Sequence, residues 1–197
     1  MKRNNINSLI WASNDRILYF MDDDGNETFG MFAIDKDGGN PQLLVPTLQS
    51  KSVTKLRITS VLDLLEDDPD HILVSNNDNR QDYPDVYIMN IQSGGRNKKI
   101  VQSNPGKVIG WLTDQDGKVR IGVTSDKAAK QNGILYRESE DAEWETLATF
   151  SKENPSWSPI AFDHDGKTLY VSSNLKADTT GVYKYDLEKR EMGALIY

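Results

Sequence analysis

No cysteine occurs in these 197 residues, which excludes a disulfide framework and a thiolate metal site and leaves the redox compartment open. No run of about 18 apolar residues occurs either, so no segment reads as a membrane-spanning helix. The opening, MKRNNINSLIW, has two basic residues but no apolar stretch behind them, and it does not read as a secretion signal on this chain. Positive charge is in short supply: the formal net charge is −7, which argues against nucleic acid or an anionic membrane as partner. Histidine occurs twice, as His71 and His164, each expected at a turn beside a strand and neither near a partnered nucleophile. There is no G-x-S-x-G elbow, no phosphate-cradling P-loop and no G-x-G-x-x-G, so no catalytic residue and no cofactor site is assigned.

What the sequence does contain is a repeat. Residues 61–95, VLDLLEDDPDHILVSNNDNRQDYPDVYIMNIQSGG, read as strand, acidic turn, strand, polar loop, strand and Ser-Gly-Gly turn. Both HILVS and DVYIMN have the β-branched and aromatic bias of strands and are bounded by Asn, Asp, Gly and Pro. The same phrase recurs three more times. Its third-strand segments begin at Gly30, Asp85, Gly133 and Gly181, after intervals of 55, 48 and 48 residues. Ahead of them stand RILYF from Arg16, HILVS from His71, VRIGV from Val119 and TLYVS from Thr168. Each unit opens with an apolar strand, carrying Ile10 and Trp11, Leu62 and Leu64, Ile109 and Trp111, or Ile160 and Phe162. Each closes with an outer strand, at 42–45, 98–102, 144–149 and 193–197.

Four short antiparallel strands repeated at this period define β-propeller blades. A four-stranded sheet has two faces and buries neither alone, so blades stack face to face. The expected fold is all-β, a single partial propeller over 1–197, with blades at about 6–46, 55–103, 106–150 and 157–197. It is expected to belong to a larger seven- or eight-bladed ring. Four blades is the low end for ring closure, and bare end blades call for more blades in a longer parent or for a second copy. The loop 125–132 has a short helical flavour, and 46–54 reads as a linker.

The acidic clusters Asp22-Asp23-Asp24-Gly25, Asp35-Lys36-Asp37-Gly38, Asp114-Gln115-Asp116-Gly117 and Asp163-His164-Asp165-Gly166 resemble calcium loops only superficially. An EF-hand loop needs an acid five positions before its glycine, where Phe20, Ala33, Leu112 and Ala161 stand. They are read as hairpin turns of type I′, with no metal site. Of the four tryptophans, Trp11 and Trp111 fall at matching inner-strand positions and are read as core. Asn26-Glu27-Thr28 matches a glycosylation sequon by chance. The polar loop 76–82, NNDNRQD, faces outward, and its Arg80 has the reach to touch a substrate or a binding partner.

The phrases IWASNDRILYF, FAIDKDGGNPQLLVP, VLDLLEDDPDHILVS, PDVYIMNIQSGG, VIGWLTDQDGKVRIGV and FDHDGKTLYVSSN resemble the propeller half of bacterial prolyl oligopeptidase family serine peptidases, of the dipeptidyl or acylaminoacyl type. The resemblance implies a propeller seated over an α/β-hydrolase domain that carries a Ser, Asp and His triad, limiting access to small or flexible peptides. None of that triad maps onto this sequence. The implied role is therefore a non-catalytic gating segment, with the parent's hydrolase domain and peptide substrates as partners; self-association through the end blades is expected separately, from their bare faces. The alternative is a stand-alone propeller for protein interaction, and a carbohydrate-active propeller ranks last because only turn acids are present.

Overall fold

The computed structural model describes residues 4–22, 28–47, 58–151, 153–154 and 156–197. They form sixteen strands in four separate sheets, and no helix appears among them. The first sheet holds β1 (Ile6–Trp11), β2 (Arg16–Asp22), β3 (Phe29–Asp35) and β4 (Gln42–Val45). The second holds β5 (Thr59–Asp63), β6 (His71–Asn76), β7 (Asp85–Asn90) and β8 (Lys98–Gln102). The third holds β9 (Val108–Thr113), β10 (Val119–Asp126), β11 (Gln131–Tyr136) and β12 (Glu145–Ser151). The fourth holds β13 (Trp157–Phe162), β14 (Thr168–Ser173), β15 (Gly181–Asp186) and β16 (Glu191–Leu195). Every sheet is an antiparallel meander in chain order. This is the β-propeller architecture, one sheet per blade, here called blades 1 to 4.

Gly30, Asp85, Gly133 and Gly181 hold like places, each opposite the end of its blade's second strand. The strands expected at 133–138 and 193–197 lie two residues earlier, at Gln131–Tyr136 and Glu191–Leu195. Just past the third strand of blade 3, the Arg137 side chain donates to the carbonyls of Val119 and Glu140, both at 2.8 Å, and its guanidinium lies over Trp144.

The chain forms two compact units, Met1–Ser103 and Asn104–Tyr197, each of two blades. In the first, Leu18, Met31 and Ala33 of blade 1 pack on Ile72, Val74, Tyr87 and Met89 of blade 2. In the second, Ile121, Ile134 and Tyr136 of blade 3 pack on Leu169, Val171, Tyr183 and Tyr185 of blade 4. Each interface is pinned by a buried arginine at the start of a second strand. Arg16, fully buried, donates to the Ile91 carbonyl of blade 2 at 2.7 Å through Nη2 and at 3.1 Å through Nε, and to Asp35 at 2.5 Å. Arg120 donates to the Gly166 carbonyl of blade 4 at 3.0 Å and lies over the Phe162 ring.

A second recurring device ties the end of each second strand to the entry of its blade. The side chains of Asp22, Asn77 and Asn174 accept the backbone N–H of Asn5, Ile58 and Ser156 at 2.7, 2.9 and 2.9 Å. Blade 3 does the same with backbone, Ser125 N–H donating to the Lys107 carbonyl at 2.9 Å, beside a Lys107–Asp126 ion pair. Each bond satisfies a polar group where the ladder ends.

The acidic turns differ from the type I′ expectation. Gly38, Gly117 and Gly166 have φ of +87°, +70° and +65°, while the aspartates before them do not enter that region. The Gly38 and Gly117 N–H groups donate back to the Asp35 and Asp114 carbonyls, and the Asp35 and Asp114 N–H groups donate forward to Gly39 and Lys118. This is the three-residue hairpin loop, a type I turn closed by a left-handed glycine, so one glycine suffices where type I′ needs two permissive residues. The loop 125–132 forms no helix. It is a four-residue turn in which Asp126 accepts the N–H groups of Ala128 and Ala129, with Lys130 at φ +53°. The turn at 23–27, most of the sequon, the 48–54 part of the linker and the expected start of blade 2 at 55–57 lie outside the described residues.

Candidate functional site

The connection from β6 to β7 is the polar loop singled out from the sequence. Only its tip is free to meet another molecule, because its base is built into blade 2. Asn76 is fully buried, donating to the Thr59 hydroxyl at 2.5 Å and accepting the Asp78 N–H at 2.8 Å. Asn77 donates to the Gln81 carbonyl at 3.2 Å, and Asn79 donates to the buried Asp85 carboxylate at 2.9 Å. Asp78 pairs with Lys98, whose ammonium lies over the Tyr87 ring. This network holds Arg80 outward, exposed and without an ion pair or hydrogen bond among the described residues. A fixed loop presenting one unpaired guanidinium suits a carboxylate or a carbonyl, which it grips as a planar fork.

At the opposite end of blade 2, His71 is half-buried and joins a cluster that the sequence did not announce. Its Nδ1 lies 2.9 Å from an Asp68 carboxylate oxygen and its Nε2 lies 3.2 Å from the Asn90 amide nitrogen. The Asn90 oxygen already accepts the Gln92 N–H, the Ser93 N–H and the Ser93 hydroxyl, so the amide cannot turn over. His71 Nε2 is thereby the acceptor and Nδ1 carries the proton toward Asp68. An Asp–His pair with Nε2 facing a hydroxyl is the orienting half of a nucleophilic triad. Here that nitrogen faces an amide, and the nearby Ser93 hydroxyl is engaged by Asn90 and Asn97. The hydrogen bond from His71 holds the Asp68 carboxyl below the usual carboxylate range. His164 lies exposed in the β13–β14 turn.

Acidic side chains in the turns satisfy backbone rather than converge on a cation. Asp114 accepts the N–H groups of Asp116 and Lys118, and Asp165 those of Lys167 and Thr168. The Tyr170 hydroxyl, with the His164 N–H and Lys184 behind it, holds Asp163 below its usual range. Among the described residues no group of three or more His, Asp or Glu side chains is placed to hold a metal ion.

The tryptophans divide. Trp111 and Trp157 are buried, and Trp157 stacks on Tyr185 at 4.7 Å. Trp11 is 54% exposed, which corrects its reading as core. It sits on the face of blade 1 turned away from blade 2, where nothing in that unit covers it. Sequence reading also missed a recess of about 210 Å³ on blade 3, lined by Thr124, Gln131, Asn132, Thr146 and Thr149 with Lys107 and Asp126 beside them. Its only sequence signal is the threonine and amide content of β10 to β12.

No protein family's sequence model matches this chain. It is 25% identical over 185 residues to dipeptidyl aminopeptidase BIII of Pseudoxanthomonas mexicana, covering 92% of this chain and 25% of that protein. The chain thus spans about a quarter of that relative's length. Among solved structures it resembles TolB from Acinetobacter baumannii, with a TM-score of 0.61 at 13% identity, covering 93% of this chain and 42% of that one. It also resembles prolyl oligopeptidase B from Galerina marginata, with a TM-score of 0.58 at 15% identity, covering 96% and 28%. These structural likenesses are likenesses of fold. The sequence relative is named as a dipeptidyl aminopeptidase, and the Galerina marginata neighbour as a prolyl oligopeptidase.

Proposed function

We propose that this chain is a non-catalytic propeller segment of a prolyl oligopeptidase-like serine peptidase, gating peptide access to an α/β-hydrolase domain carried elsewhere in the parent polypeptide. The observation that carries the reading is the similarity to a dipeptidyl aminopeptidase along 92% of the chain, through all four blades. The chemistry of blade 2 supports it, since the Asp68–His71 pair gives its free nitrogen to an amide rather than to a nucleophile. Arg80, held outward by the 77–84 loop, is the residue assigned to meet the carboxylate or carbonyl of an entering peptide. Blade faces left open by the fold are covered by assembly.

The test uses a polypeptide that joins this chain to its hydrolase domain. Arg80→Ala is expected to change kcat/KM severalfold for peptides and to leave labelling by a small fluorophosphonate unchanged. Equal effects on both, or none on either, would remove Arg80 from the gate. A stand-alone interaction propeller is the second reading, favoured by the exposed apolar face of blade 1.

A further inference from the structure

Blade 1 turns one face toward blade 2 and leaves the other open. The alternation of its strands puts Leu9, Trp11, Ile17, Tyr19, Phe32 and Leu43 on the open face. They meet as cross-strand neighbours: Leu9 opposite Tyr19, Trp11 opposite Ile17, Tyr19 opposite Phe32, and Phe32 opposite Leu43. Tyr19 and Phe32 stack with centroids 5.2 Å apart and planes 14° from parallel, which keeps the middle of the face flat. Leu9, Trp11 and Leu43 are 61%, 54% and 49% exposed, and no charged side chain interrupts these pairs. A continuous open apolar face of this kind marks an interaction surface.

Equivalent positions elsewhere show what such a face is for. The Tyr19–Phe32 pair of blade 1 corresponds to Val74–Tyr87 in blade 2 and Val171–Tyr183 in blade 4. In blade 2 those side chains are buried against blade 1, and in blade 4 against blade 3. Blade 1 carries the same packing face, exposed.

The open face of blade 4 is built differently. Tyr170 stands opposite Lys184 and Thr168 opposite Asp186, with Ser172 beside them. The Tyr170 hydroxyl donates to Asp163 at 2.9 Å, and Lys184 pairs with the same carboxylate at 3.2 Å. Stacking copies head to tail would press the apolar face onto these charges and strip their water without replacing it. Of these two faces, blade 1 paired with blade 1 about a two-fold axis brings apolar face to apolar face, and such a pairing is closed and self-complementary.

We propose that the open face of blade 1 is a two-fold self-association surface, taken in the 197-residue chain by blade 1 of a second copy. The proposal rests on the assembly half of the reading above, not on its peptidase half. Four strands about 4.8 Å apart and about 20 Å long give a footprint of about 400 Å² per copy. Two copies then bury about 800 Å², short of the roughly 1,000 Å² of a durable interface. The dimer is therefore reversible and concentration-dependent. Added salt strengthens it by screening the repulsion between two copies of net charge −7.

Sedimentation velocity of the 197-residue chain across the micromolar range tests this. The expected result is a dimer fraction that rises with concentration and with salt, is abolished by Trp11→Lys, and is untouched by Lys184→Ala. Both side chains are about half exposed, so neither substitution empties a core, and an unchanged strand spectrum checks that each variant is folded. A chain that stays monomeric throughout overturns the proposal and leaves the face to a blade of a longer polypeptide. So does a dimer that survives Trp11→Lys or is lost with Lys184→Ala.

Discussion

Replacing Arg16 with alanine removes several partners at once: the Ile91 carbonyl 75 residues away, the Asn40 carbonyl and the Asp35 carboxylate. A fully buried guanidinium is tolerated only because each of its three nitrogens finds an acceptor, and its loss strands those acceptors at the interface of blades 1 and 2. Arg16→Ala is expected to destabilise that unit by about 3 kcal/mol, read as a lowered urea midpoint. A cost below about 1 kcal/mol would show that the staple carries little. Acid acts through other residues. Asp68, Asp163 and Asp186 are held below the usual carboxylate range, chiefly by hydrogen bonds from His71, the Tyr170 hydroxyl and Lys189. A carboxyl whose folded pKa lies below its unfolded one stabilises the fold above the unfolded value and loses that contribution as pH falls through the folded one. The urea midpoint is therefore expected to hold from neutral to mildly acid pH and then fall through the carboxylate range. The fall should be modest, because these groups are largely exposed. A midpoint that rises there would contradict the assignment. At this scale the sequence was only partly legible: RILYF reads as a strand, but nothing in it says that its arginine reaches the next blade. His71 likewise read as a strand end, because Asp68 and Asn90 meet it only once β6 and β7 pair.

Strands were the most legible level, because a two-residue alternation survives any packing. Turns were less so. Asp-Gly fits both type I′ and the type I turn with a left-handed glycine, and only the hydrogen bonds at Asp35, Asp114 and Asp163 choose between them. The tightest junction is at Gly95, whose N–H donates to the Leu43 carbonyl at 3.1 Å and whose missing Cβ would fall on the Leu44 carbonyl oxygen. Gly95→Ala is expected to cost about 2–3 kcal/mol by forcing β4 and the β7–β8 turn apart, measured by denaturant unfolding. A neutral result would mean that the contact relaxes freely. The side-chain clips predict a smaller effect. Asn77→Ala and Asn174→Ala each remove one bond to a blade entry and should cost about 1 kcal/mol, with protection of the Ile58 and Ser156 amides against hydrogen exchange lost in the matching variant only.

At the scale of the whole molecule, the repeat was legible because four copies of one phrase reinforce each other where a single strand prediction would not. Trp11 was misread for the same reason. Its position matches the buried Trp111, yet burial depends on a neighbour that strand periodicity does not reveal. The functional reading came only through resemblance, since the sequence carries no catalytic motif to read. The central claim is that these blades shape access to a reaction performed by other residues. The direct measurement is incubation of the purified 197-residue chain with a fluorophosphonate probe and a fluorogenic dipeptide substrate. The account predicts no labelled serine and no turnover above buffer. Stoichiometric labelling of any serine in this chain, with matching hydrolysis, would contradict it.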